Sequence, residues 1–145
     1  MGDMAPLLAA LEEPRNRPNW RLRLLDFVEN EMTKSPDFAA SWQQQLASRD
    51  ETGELAFRLW TGFSEGELET DGASLLVESL DHPSLMIRSL AIRELLRITG
   101  TAELYFPDAD ADQRFRRVQA WRRRLQDHEI RYVSPPAPAS LDYAP

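Results

Sequence analysis

A chain of 145 residues has the length of one ordinary domain and is too short for two independent cores of usual size. Apolar residues make up 42 % of it and charged residues 28 %, enough for a core and a soluble surface. The 17 Lys+Arg against 24 Asp+Glu leave a formal charge of −7, which disfavours a general coat for nucleic acid or anionic lipid.

With no cysteine, disulfides, thiolate metal sites and a Cys nucleophile are excluded, and only His82 and His128 remain for zinc or base catalysis. No run approaches the roughly 20 apolar residues of a membrane span. The first residues also lack a basic patch followed by an uninterrupted apolar stretch. The expectation is a cytoplasmic protein without membrane contact.

Leu7, Leu8 and Leu11 stand at helical spacing, and Pro14 and Pro18 argue against continuation of that short helix. Asn19 is a candidate N-cap for a long amphipathic helix with Trp20, Leu24, Phe27, Val28 and Met32 on its apolar face and Arg23, Asp26, Glu29 and Asn30 opposite. Ser35 and Pro36 supply the cap and first turn of the next, which carries Phe38, Trp42 and Leu46 until Ser48-Arg49-Asp50 breaks it. Leu55, Leu59 and Phe63 align on a fourth helix beside Ala56 and Trp60, and Gly62 and Gly66 loosen the chain after it.

From Asp71 the spacing predicts a helix to Leu80, a tight turn Asp81-His82-Pro83-Ser84, and a second helix from Leu85 to Ile98 stopped by Gly100. Tyr105 and Phe106 occupy the following loop, placed for exposure or for folding back over the last helices. The last helix runs from about Asp110 to His128 with Phe115, Val118, Trp121 and Leu125 on one stripe, and Asp110 with Gln113 three residues on fits a capping box. Residues 132–145 are rich in Pro and lack periodicity, which predicts a flexible tail behind a single helical domain of residues 1–131. No segment alternates like a strand. The expected fold is all-α, with six or seven helices in antiparallel hairpins forming an irregular superhelix or bundle.

On a helical wheel with Arg88 at zero, Ala91 falls at about 300°, Leu95 at about 340° and Ile92 at about 40°, so Arg88 points into the apolar arc. A buried guanidinium requires compensation. Asp81 is the nearest candidate for a structural ion pair with Arg88, with Asp108, Asp110 and Asp112 as others. Arg93 and Arg97 fall on the far side with Ser89, on a solvent face.

The stretch Leu76-Val77 to Leu80, Asp81-His82-Pro83 and Ile87-Arg88-Ser89-Leu90-Ala91 to Leu95 resembles a HEAT or armadillo-like unit within about residues 71–125. In such units two helices meet at a turn carrying Asp or Pro, and the second bears an Arg followed three residues later by Ala. The continuation through Gly100, Tyr105, Pro107-Asp108, Arg114, Val118 and Trp121-Arg122 is similar to a recurring C-terminal helical region of uncharacterised bacterial proteins. Neither resemblance implies catalytic residues. The earlier helices show no second copy of the pattern.

Gly62-Phe63-Ser64-Glu65-Gly66 matches the G-x-S-x-G string of hydrolase elbows, but a helical pattern precedes it where a strand is required. Asp108, Asp110 and Asp112 alternate like a calcium loop, yet its sixth position is Gln113 and its twelfth Gln119, so no metal or cofactor is expected. Arg114, Arg116, Arg117, Arg122, Arg123 and Arg124 follow one another on the last helix without an intervening acid, and Arg116, Arg117, Arg123 and Arg124 project away from the apolar stripe. The stretch from Asp50 to Leu80 carries the opposite charge.

Trp20, Trp42, Trp60 and Trp121 all fall on apolar faces, where core packing is the expectation for most. Hairpins and split charge, without a convergent nucleophile, base and oxyanion donor, point to a non-enzymatic module for protein–protein interaction or scaffolding. Its candidate surface is Arg93, Arg97, Arg116, Arg117, Arg123, Arg124, Tyr105 and Phe106. Binding of nucleic acid or an acidic partner through the Arg-rich helix is the alternative, and a serine hydrolase at Ser64 the remoter one.

Overall fold

The computed structural model describes residues 5–13, 17–48 and 51–133; the tail expected over 134–145 lies outside them. The described residues are all-α. The helices are α1 (Ala5–Leu11), α2 (Pro18–Lys34), α3 (Pro36–Ala47), α4 (Glu51–Thr61), the single turn α5 (Glu65–Glu67), α6 (Ala73–Ser79), α7 (Leu85–Thr99) and α8 (Ala111–Gln126). A π-helical turn, Leu68–Gly72, joins α5 to α6 without a break. Counting 65–79 as one rod gives seven helices among the described residues, with no strand.

Several boundaries follow directly from residue chemistry. Ser35 sits in extended backbone between α2 and α3, and its hydroxyl accepts the Phe38 N–H at 3.1 Å, so one residue turns the chain between two helices that pack on each other. Ser84 caps α7 through the Ile87 N–H, and Asp110 caps α8 through the Gln113 N–H at 2.9 Å. Gly62 and Gly100, both at φ +83°, end α4 and α7 in the left-handed conformation that glycine adopts without Cβ strain.

Elsewhere the expected boundaries move. The cap of α2 is Arg17, followed by Pro18 in the first turn, and Asn19 is already helical. Phe63 is buried but lies beyond the end of α4. The helix expected from Asp71 begins at Glu65, because Ser64 and Glu67 form a reciprocal capping box there. The π-turn then shifts the 3.6-residue register and hides the continuity in the sequence. A Cβ on Gly72 would stand 2.7 Å from the Phe63 ring, so glycine is what lets Phe63 pack against this turn.

α7 is the central element, packed against α2, α4 and α6, with α8 closing over α6 and α3 over α4 and α2. Trp42 and Trp60 meet edge to face at 5.2 Å in the α3–α4 contact, and Trp60 Nε1 donates to Leu25 O at 3.2 Å. α3 and α4 cross so closely that a Cβ on Gly53 would fall 1.8 Å from Leu46 O.

Trp42, Trp60 and Trp121 are core residues as their stripes predict, whereas Trp20 and Phe27 are exposed. α2 is rotated so that Arg21, Leu25 and Val28 form its innermost line. Arg21 takes a position that an apolar-periodicity reading assigns to solvent, donating to Glu13 O at 3.4 Å with Asp108 4.0 Å away. Phe115 also departs from its expected stripe: Val118 and Trp121 are buried and Phe115 faces water. The fold continues past residue 131. Tyr132 Oη donates to Phe63 O at 2.6 Å and the Val133 N–H to Ile98 O at 3.0 Å, so Tyr132 packs on the domain and the Val133 main chain is tied to it, while the Val133 side chain is exposed.

Candidate interaction surface

Arg88 is buried, with 8 % of its surface exposed, but Asp81 is not its partner. Its Nε donates to Pro107 O at 2.9 Å and its Nη1 to His82 O and Pro83 O at 2.9 and 2.8 Å. Asp81 is exposed, and among the described residues no carboxylate lies within ion-pair distance of Arg88. The fork geometry of a guanidinium suits two strands of main-chain carbonyls as well as it suits a carboxylate.

Tyr105, expected as a surface residue, is buried beside it and donates to Leu80 O at 2.6 Å. Together the two side chains rivet the 101–110 segment to the α6–α7 turn. Burial, followed by the charge of Arg114, lowers the Arg88 pKa, with Tyr105, Glu12 and Asp108 opposing, and burial pushes the Tyr105 hydroxyl upward.

Of the two arginines expected on a solvent face, Arg97 is exposed and Arg93 is largely buried, and both are ion-paired. Arg93, whose side chain is 11 % exposed, meets Asp26 at 2.8 Å and Glu29 at 2.9 Å across the α2–α7 contact, and Arg97 meets Glu29 at 3.0 Å. Glu94 between them is fully buried and pairs with Arg97. Burial pushes the Glu94 carboxyl up despite Arg97 and Arg93; burial acts the same way on Glu29, but Arg93 and Arg97 together hold that carboxyl below its ordinary value. Ser89 is buried too. Glu94, Glu29 and Asp26 escape a single-helix wheel. The signal for them is the match between an acidic pair on α2, three residues apart, and a basic pair on α7, four apart.

Five of the six α8 arginines divide into two groups, and Arg122 is half-buried. Arg124 pairs with Glu103 at 2.7 Å, approaches Glu129 at 3.6 Å and lies over the Trp121 ring, so it is spent internally. Arg114 donates to Ala109 O at 2.6 Å. Arg116, Arg117 and Arg123 are exposed and have no acidic partner among the described residues.

Beside Arg116 and Arg117 a groove of about 300 Å³ opens between the 101–110 segment and α8, lined by Leu104, Phe106, Gln113, Arg114, Arg116 and Arg117. Leu104 is 65 % and Phe106 61 % exposed, and Phe115, on α8, 58 %. Glu103 and Leu104 both adopt positive φ, +50° and +59°. A left-handed non-glycine residue costs roughly 1–2 kcal/mol, and here one of the two strained residues is an exposed leucine. The segment is fixed in this shape by the Arg124–Glu103 pair, the Thr101 hydroxyl accepting the Glu103 N–H at 3.1 Å and Trp121 Nε1 donating to Ala102 O at 3.3 Å.

The remaining motifs have structural employment. Ser64 accepts the Glu67 N–H as a helix cap and stands on no strand-to-helix elbow. His82 Nδ1 accepts the Ser84 N–H at 3.0 Å, and His128 lies exposed beyond α8. Asp110 caps α8 and Asp112 lies in its first turn, where the macrodipole favours carboxylates. Among the described residues no three His, Cys, Asp or Glu converge as a metal site, and no helix is long and apolar enough to cross a membrane. Compared with protein families, curated proteins and solved structures, the chain matches none.

Proposed function

We propose that this chain is a non-enzymatic, cytoplasmic interaction module of HEAT or armadillo-like hairpins that docks a protein partner on the face formed by the 101–110 segment and α8. The observation that carries this reading is the exposure of Leu104, Phe106 and Phe115 beside Arg116 and Arg117, whose charges no acid among the described residues meets. Single exposed apolar side chains are ordinary. Leu104 and Phe106 at a groove with Arg116 and Arg117, and Phe115 exposed on α8 outside that groove, have the composition of a protein interface, where aromatics and Arg are enriched. The engagement of Ser64 and Asp110 in helix caps supports the non-enzymatic part.

Nucleic acid fits this face less well. Three unpaired arginines fall short of the about six to ten phosphate contacts behind strongly salt-dependent binding, and Asp110 and Asp112 stand at the start of the same helix.

Site-specific photo-cross-linking tests the reading. A photoreactive residue at position 106 is expected to give a saturable protein adduct in cell extract, lost on combining Arg116→Glu with Arg117→Glu, while one at the exposed position 78 gives none. Equal adducts from both positions, no adduct from 106, or ester hydrolysis abolished by Ser64→Ala would overturn it.

A further inference from the structure

Resting on that reading, we propose that the groove between the 101–110 segment and α8 takes an acidic peptide segment in which one aromatic or leucine side chain is followed directly by two carboxylates. The groove, at about 300 Å³, stands at the lower end of ligand-site volumes. It has room for one anchor side chain and its neighbours and is too small for a large cofactor.

Its two walls differ in chemistry. Leu104 and Phe106 form an apolar wall held in place by the riveted segment. Gln113, Arg116 and Arg117 follow at positions i, i+3 and i+4 on one face of α8, so their side chains stand together. Arg114 already gives Nη1 to Ala109 O, which leaves Arg116 and Arg117 as the pair that receives two carboxylates in charge-assisted contacts.

The direction is set by charge as well. Asp110 and Asp112 occupy the start of α8, so the occupant's acids lie toward Arg116 and Arg117 and its anchor toward Phe106. A second copy of the chain offers matching acids at Glu65, Glu69, Asp71 and Glu78, all exposed. None of the large exposed apolar side chains lies in that stretch, so it brings no anchor for the Leu104–Phe106 wall. The occupant we infer is an acidic segment of another protein, with a second copy of this chain as the alternative that self-association of the full chain would reveal.

Fluorescence anisotropy with the full chain tests this. The probe is a labelled synthetic peptide with one Phe followed by two Glu in an otherwise Gly/Ser sequence; the comparison probes replace Phe by Ser, replace both Glu by Lys, or are a labelled single-stranded oligonucleotide.

The Phe-Glu-Glu peptide is expected to bind saturably. Its affinity should fall roughly tenfold or more with Arg116→Glu plus Arg117→Glu and with Phe106→Ser. Arg123→Glu, outside the groove, should change it little, and circular dichroism should confirm that all variants are folded. The proposal is overturned by absence of binding, by equal binding of the Ser-substituted or Lys-substituted peptide, by tighter binding of the oligonucleotide, or by an Arg123 effect matching that of Arg116 and Arg117. A cross-linked partner at position 106 together with any of those outcomes would remove only this peptide chemistry, whereas loss of the cross-link itself removes the docking face.

Discussion

α7 and α8 both carry rows of arginines, and the two rows have opposite fates. On α7, Arg93 and Arg97 face α2 and find Asp26 and Glu29 waiting; Arg88 faces the 101–110 segment and finds carbonyls. On α8, Arg116, Arg117 and Arg123 are exposed and have no acidic partner among the described residues. The difference lies in position within the fold. A helix with neighbours on several sides must compensate every charge it carries inward, since an uncompensated buried ion costs several kcal/mol, whereas an outer helix leaves charge uncompensated at almost no cost.

The largest expected effect comes from breaking the most buried member of the first row. Arg88→Ala strands the carbonyls of His82, Pro83 and Pro107 and uncouples the 101–110 segment from the α6–α7 turn. At about 1–3 kcal/mol for each buried group left without a partner, and allowing for water entering the gap, the loss should be about 4 kcal/mol. Urea denaturation measures it. A loss below about 1 kcal/mol would mean that the guanidinium is no rivet. Arg88→Lys should fall between, because an ammonium lacks the planar fork.

A direct test of the contrast pairs one arginine from each row. Arg93→Ala removes the cation shared by Asp26 and Glu29 and leaves Glu94 a weaker counter-charge. Discounted for the exposure of Asp26, the cost should be about 2 kcal/mol. Arg117→Ala should stay within about 0.5 kcal/mol. Equal losses would erase the distinction between the seam and the open face.

The seam should also respond to pH. Glu94 has a folded-state pKa above its ordinary value, so its contribution to stability is fully present below the unfolded value of 4.5 and is lost as pH rises through the folded one. Glu29, held below its ordinary value, contributes above 4.5 and loses that contribution as pH falls through its folded pKa. Glu94→Gln removes only the first of these. Relative to the unsubstituted chain, its stability should therefore rise with pH across the interval above 4.5, a smaller effect read as a slope. A flat difference would contradict the direction assigned to Glu94.

The same contrast explains what was legible in the sequence. Caps at Ser35, Ser84 and Asp110 and the stop at Gly100 are written in local chemistry, and helix periodicity places Trp42, Trp60, Trp121 and the inward turn of Arg88. What packs opposite a side chain is not local. Arg88 is matched by main-chain carbonyls, which no residue type encodes, so Asp81 is a misplaced partner. Tyr105 sits in a loop without periodicity, and its burial follows from a hydrogen bond to Leu80, 25 residues earlier. Trp20 and Phe27 follow the wheel outward because buried Arg21 takes the inner line of α2. Phe106, Arg116 and Arg117 are candidates already in the sequence, while their meeting with Leu104 at one groove depends on the left-handed turn at Glu103 and Leu104.

That turn yields the smallest effect and the sharpest one for function. Leu104 is exposed at φ +59°, so Leu104→Gly relieves strain without opening a cavity. Glycine also gives the unfolded chain more freedom, which offsets part of the gain, and the net should be a stabilisation of about 0.5 kcal/mol. Binding of the Phe-Glu-Glu peptide should weaken at the same time, because the apolar wall loses one of its two side chains. A substitution that raises the denaturation midpoint while lowering affinity separates a residue kept for docking from one kept for folding. If Leu104→Gly destabilises the chain and leaves binding intact, the strained turn serves the fold, and the open arginine row has no apolar counterpart to make it a site.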